Sequence, residues 1–136
     1  MTEDLEKFYR EGDNQFRFAG GVEGIMKLAN DFYDAMERLP EATGILKLHP
    51  TDLAESRDKL GRFLCGYLNG PELYKEKYGP IALASAHGHL AIGTSEKEAW
   101  LLCMKKALDK QPYPQEFKDF LMMRLAIPAE SCRNRP

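Results

Sequence analysis

The sequence predicts an all-α fold, and three observations carry that prediction. Apolar residues recur at helical spacing in four separate windows. No window shows the alternation of apolar and polar residues that marks a half-buried strand. The windows are bounded by the proline, glycine and serine signals at which helices start and stop. A chain of 136 residues, 43% of them apolar, suits one domain with a substantial core.

Residues 1–19 read as an irregular arm, and the first 13 as a loose terminus. Gly20-Gly21 opens the first helix, whose stripe is Val22, Ile25, Met26, Ala29, Phe32, Tyr33 and Met36. Pro40 stops it, and an ambiguous segment, Glu41 to Leu48, follows. Pro50-Thr51-Asp52 signals a second helix with Thr51 as N-cap. It runs to about Tyr67 on Leu53, Leu60, Phe63, Leu64 and Tyr67, with Ser56 on the same stripe. Residues 70–93 read as loop with one or two short helical turns, broken by Gly70, Pro71, Gly79, Pro80, Gly88 and Gly93. That stretch carries too many apolar side chains for a free linker, so it packs against something. A connection of this length is functional or disordered. Ser95-Glu96-Lys97-Glu98 reads as a capping box for a third helix with Trp100, Cys103, Met104, Ala107 and Leu108 on one face. Pro114 sits in the first turn of a fourth, striped by Phe117, Phe120, Leu121, Arg124 and Leu125. Pro128 closes it, leaving 128–136 as a loose tail.

Composition excludes several function classes. The formal net charge of −2, from 19 basic and 21 acidic residues, is wrong for a general nucleic-acid binder. No apolar run reaches the roughly 20 residues of a membrane span. The acidic, charged N-terminus is not a secretory signal. Cys65, Cys103 and Cys132 are odd in number and widely spaced, against a disulfide framework or a zinc knuckle. A reducing, cytoplasmic setting is the simplest expectation.

The chemistry-bearing residues are few. His49, His87 and His89 are the only histidines, and His87 and His89, two apart, do not share a helical face. His87 precedes the helix that carries Trp100, a placement that would present a metal or haem ligand to a pocket; most single histidines are structural or solvated. Tyr33 and Trp100 lie on buried stripes and each has a polar hydrogen in need of a partner, although ordinary core aromatics do the same. No Gly-x-Ser-x-Gly elbow and no Gly-x-Gly-x-x-Gly phosphate loop is present.

Taken in order, several short stretches resemble the truncated haemoglobins of group II. They are Phe18-Ala19-Gly20-Gly21, Asp31 through Met36, Leu48-His49-Pro50, Lys59-Leu60, Phe63-Leu64, Gly70-Pro71 with Tyr74, His87 through Ile92, and Ala99 through Met104. The similarity spans about residues 14–126 and rests on order and spacing. It implies a single truncated-globin domain, a two-over-two helical sandwich around haem b. It implies His87 as the iron ligand, with Tyr33, His49, Ser56, Leu60 and Trp100 on the ligand-binding side. Phe32, Lys59, Phe63, Leu64, Tyr74, Ile92 and Met104 would contact the haem, Lys59 through a propionate. Three positions depart from the family: Ala86 where arginine is common, Asn69 in place of the first glycine of a pair, and His89 in place of proline.

The resemblance further implies binding of dioxygen, carbon monoxide, nitric oxide or peroxide, with an unidentified reductase supplying electrons to a monomer or homodimer. Buried donors stabilise the partial negative charge of a bound dioxygen and slow its release. That favours oxygen, nitric oxide or peroxide chemistry, such as nitric oxide dioxygenation or a peroxidase-like reaction, over rapid delivery. The rival expectations are a haem-based gas sensor or redox interaction module, and a haem-free helical interaction protein.

Overall fold

A computed structural model describes residues 3–81, 87, 88 and 90–136. The expectations for Ala86 and His89 lie outside the described residues. Eight α-helices and a 3-10 turn are present among those described: α1 (Glu3–Arg10), α2 (Asn14–Phe18), α3 (Gly21–Arg38), the turn Pro40–Ala42, α4 (Thr43–Leu46), α5 (Ala54–Tyr67), α6 (Leu73–Tyr78), α7 (Thr94–Asp109) and α8 (Gln115–Cys132). None is long and apolar enough to cross a membrane. Helices α3 and α5 form one packed pair, α7 and α8 the other, and α3 lies on α7 to join them. This is the two-over-two sandwich expected from the sequence.

Local chemistry explains the main elements. Gly20 and Gly21 have φ of 96° and 66°, a left-handed pair that glycine adopts without penalty, and α3 starts immediately after the turn. Its buried face is Ile25, Leu28, Ala29, Phe32, Tyr33, Ala35 and Met36. Val22, expected on that face, is exposed. Gly61 on α5 lets α3 approach closely: a Cβ there would run into the Met26 side chain. Asn69 adopts φ 68° after α5. Asparagine tolerates this region better than other non-glycine residues, which accounts for its replacing a glycine.

Three element boundaries differ from the sequence reading. The N-terminus is no arm, since α1 and α2 dock through aromatic contacts. The Tyr9 ring lies 5.0–5.6 Å from those of Phe18, Phe117 and Phe120, and the Tyr113 hydroxyl donates to the Ala19 carbonyl at 2.6 Å. Burying a side chain such as Tyr9 contributes about 2 kcal/mol, enough to fix a short helix that is marginal alone. Thr51 does not cap α5: the Asp52 carboxylate accepts from the Ala54 amide at 2.9 Å instead. In α7 the acidic partner is Glu96, whose carboxylate accepts from the Gly93 amide at 2.7 Å, so the helix starts at Thr94 and Ser95 with Glu98 is not the box.

The largest difference is at Pro128. It does not end α8 but lies inside it. Proline has no N–H, so the carbonyl of Arg124 loses its helical donor. The Tyr67 hydroxyl of α5 donates to that carbonyl at 2.5 Å. Arg124 returns a bond from its guanidinium to the Tyr67 carbonyl at 2.8 Å and lies over the Tyr67 ring. With its orphan carbonyl satisfied from outside, α8 continues a full turn to Cys132.

Candidate haem cavity

Between the two helix pairs is a cavity of about 320 Å³, within the range of ligand-binding clefts. Tyr33 and His49 line one part, Ser56, Leu60 and Phe63 of α5 another, and Trp100 of α7 a third. Lys59 and Tyr74 complete the α5–α6 wall, while His87 and Ile92 come from the segment between α6 and α7. The structure therefore brings together, in one cavity, every residue expected on the ligand side and the expected iron ligand.

Tyr33 is 6% exposed, and burial pushes its pKa up to about 12, despite the Arg57 guanidinium 5.9 Å from its ring. It remains a neutral O–H donor. Among the described residues, neither that hydroxyl nor the Trp100 indole N–H is bonded to a protein acceptor. Phe32 is packed 5.0 Å from both the Tyr33 and Trp100 rings. The His49 ring meets Tyr33 edge to face at 5.5 Å. Its Nδ1–H donates to the Ile45 carbonyl at 2.8 Å; a carbonyl only accepts, so in the neutral ring the proton is on Nδ1 and Nε2 is the acceptor.

Phe32, Leu64 and Met104 are fully buried in the core and do not line the cavity. Helix α5 explains the division. Gly61, Leu64 and Cys65 face inward and are buried, while Ser56, Lys59, Leu60 and Phe63 face the cavity. The single stripe read from the sequence is two adjoining faces.

The floor of the cavity includes residues the sequence reading missed: Lys97 of α7 and Pro128, Ala129 and Cys132 of α8. Their signal was present, since Leu121, Leu125, Ala129 and Cys132 continue the helical period beyond Pro128. Cys132 Sγ lies 3.6 Å from His87 Nδ1.

Helix α6 closes one side through Asp58, whose carboxylate accepts from Lys77 Nζ at 2.8 Å, the Tyr78 hydroxyl at 2.7 Å and Arg62 Nε at 3.0 Å. The bonds from Lys77, then Tyr78, hold the Asp58 carboxyl down at about 2. A carboxylate with a folded-state pKa below its ordinary value near 4 stabilises the fold above that value and loses its contribution as pH falls to about 2. Asp58→Asn should therefore lower the thermal midpoint at pH 6, and the two proteins should converge between pH 4 and 2. Parallel midpoint curves through that interval would show that Asp58 does not anchor α6.

The geometry fits a haem: a largely apolar slot with imidazoles in its wall, two donors without a protein acceptor lining it, and the cations Lys59 and Lys97 among the lining groups. Among the described residues no cluster of three or more His, Cys, Asp or Glu side chains forms a metal site by itself. A family model described as bacterial-like globin matches residues 14–134. The chain belongs to this globin family. It is 35% identical over 116 residues to the group 2 truncated hemoglobin YjbI of Bacillus subtilis (strain 168), covering 85% of each chain. The group II 2-on-2 hemoglobin of Agrobacterium tumefaciens superposes with a TM-score of 0.84 at 32% identity, over 90% of this chain and 95% of that one. A truncated oxygen-avid haemoglobin from Bacillus subtilis gives 0.78 at 34%, over 88% and 98%. The group II truncated-haemoglobin resemblance is thus shown. The globin family brings haem as the cofactor and small gaseous molecules such as dioxygen as ligands.

Proposed function

We propose that the cavity holds haem b with His87 as the iron ligand, and that Tyr33, Trp100 and His49 act on a diatomic ligand from the other side. The observation that carries the reading is the pair of donors, Tyr33 O–H and Trp100 N–H, which line the cavity and have no protein acceptor among the described residues. Two polar hydrogens that line a largely apolar cavity and have no protein acceptor can both bond an acceptor that arrives there. Haem, when bound, supplies an iron that takes up the diatomic ligand and exchanges electrons with it.

The chain's own residues do the rest. Tyr33 stays protonated because burial disfavours its phenolate, so it donates across the working pH range. Phe32 backs both donors and limits their reorganisation, and preorganised donors in a water-poor site are worth more than the same groups in water. Ser56 and Leu60 would shape the space left to the ligand, Phe63, Tyr74 and Ile92 would hold the macrocycle, and Lys59, paired with Glu55 at 3.2 Å in this structure, would turn to a propionate. Donors that strengthen with negative charge slow the loss of dioxygen. The oxygen-avid description of the Bacillus subtilis relative accords with this. Slow release favours turnover of bound oxygen, nitric oxide or peroxide, with electrons from a separate reductase, over rapid delivery.

The test is spectroscopic: ferric, ferrous and carbonyl spectra of the purified protein should be those of a histidine-ligated haem. A purified protein that takes up no haem would refute the reading.

His49 tunes this side and does not ligate the iron, because the bond from Nδ1 to Ile45 fixes its ring. Its Nε2 accepts when the ring is neutral and donates when it is protonated. His49→Phe removes that polar atom while keeping a ring of similar size, so the dioxygen off-rate should change in the variant. An off-rate equal to the wild type's would assign His49 a purely structural role. A low-spin bis-histidine ferric spectrum that vanishes in His49→Phe would make it the sixth ligand instead.

A further inference from the structure

The end of α8 and the residues after it are bonded to the segment that carries His87. Residues 90–93 form no helix or strand of their own, so their polar groups must be satisfied from elsewhere. Asn134 satisfies three of them. Its side-chain Oδ1 accepts from the Ile92 amide at 2.9 Å, and its Nδ2 donates to the Leu90 carbonyl at 2.7 Å and to the His87 carbonyl at 3.4 Å. Its own amide and that of Arg135 donate to the Ile92 carbonyl at 2.7 and 2.9 Å. Two residues earlier, at the end of α8, Cys132 Sγ lies 3.6 Å from His87 Nδ1. Glu130 ties this end of α8 to α7 through Lys97 at 2.8 Å, so the clamp is mounted on the helical scaffold.

We propose that Cys132 and Asn134 are positioning residues for His87, holding its backbone and the plane of its ring from the C-terminal side. The inference rests on the reading of His87 as the iron ligand. A neutral imidazole that gives its Nε2 lone pair to a metal carries its proton on Nδ1. His87 Nδ1–H is then the donor and Cys132 Sγ an acceptor. A bond at the far nitrogen fixes the tautomer and ring plane and raises the basicity of the ligating nitrogen. Sulfur is a weak acceptor, so Cys132 supplies orientation with little added charge. Asn134 fixes the backbone on which that ring is mounted.

The experiment uses the full-length holoprotein with Asn134→Ala, Cys132→Ala and Cys132→Ser, and His87→Ala as reference. Three readouts are taken: the iron–histidine stretching band of the ferrous form by resonance Raman, the rate of haem transfer to excess apomyoglobin, and exchange of the Ile92 amide. Asn134→Ala should speed Ile92 exchange at least tenfold, broaden the band and raise haem transfer by about tenfold, the range of outer-shell changes at metal sites. Cys132→Ala should shift the band to lower frequency, and Cys132→Ser, which keeps an acceptor, should move it back towards the wild-type position. An unmoved band in all three variants overturns the inference, even if their thermal stability falls, provided His87→Ala abolishes the band. A wild-type band in His87→Ala overturns the iron-ligand reading itself.

Discussion

His87→Ala should purify largely free of haem, or with a spectrum no longer that of a histidine-ligated iron. The loss should be the largest of any single substitution in the cavity. Outer-shell partners of metal ligands change affinity by roughly 10–100-fold, and removal of the ligand itself should exceed that. The fold should survive, because His87 stands in a segment outside the two helix pairs, and the core residues of α3, α5, α7 and α8 do not depend on it. Far-ultraviolet circular dichroism close to wild type, together with a missing Soret band, is the expected pair of observations. A wild-type ferrous spectrum in the variant would refute the assignment and make His89 the next residue to test.

Tyr33→Phe and Trp100→Phe should each speed dioxygen release. A hydrogen bond to a charged group contributes about 1.5–3 kcal/mol, which corresponds to roughly 10–150-fold in the off-rate at 1.4 kcal/mol per decade. Carbon monoxide takes up less negative charge and should respond less. The contrast between the two gases separates a lost donor from a merely reshaped cavity, which would disturb both. The double variant should fall short of the product of the single effects if the two donors share one ligand atom. Stopped-flow rates that stay at the wild-type value in both single variants would remove Tyr33 and Trp100 from the mechanism.

The helical class was legible because each main helix packs one face on a common core. The apolar period of α3, α7 and α8 is written directly in Ile25, Phe32 and Met36, in Cys103, Met104 and Ala107, and in Phe117, Leu121 and Leu125. The cavity residues were legible only through the resemblance. By period alone, Tyr33 and Trp100 are indistinguishable from Phe32, and what separates them is the empty acceptor side of the cavity. The division of α5 into a core face and a cavity face was hidden because Leu60 and Leu64, adjacent on one stripe, are equally apolar. The two ends were misread for opposite reasons. At the N-terminus, charged residues between Tyr9 and Phe18 masked an aromatic anchor whose partners, Phe117 and Phe120, lie a hundred residues away. At the C-terminus a sound local rule about proline was overridden by a hydroxyl from another helix.

That override ties the histories of two positions together. With Pro128 in place, Tyr67→Phe strands the Arg124 carbonyl, at a cost of about 1–3 kcal/mol, and frays the turn that carries Ala129 and Cys132. With alanine at 128 the amide returns, and the same loss at 67 should be nearly silent. A lineage can therefore discard the tyrosine only after it has discarded the proline, and can acquire the proline cheaply only where the hydroxyl already waits. Thermal midpoints of Tyr67→Phe, Pro128→Ala and the double variant should show this as a coupling of opposite sign to the single loss at 67. The last turn of the chain, and the cysteine beside His87, thus sit behind a one-way gate set by a residue on a different helix.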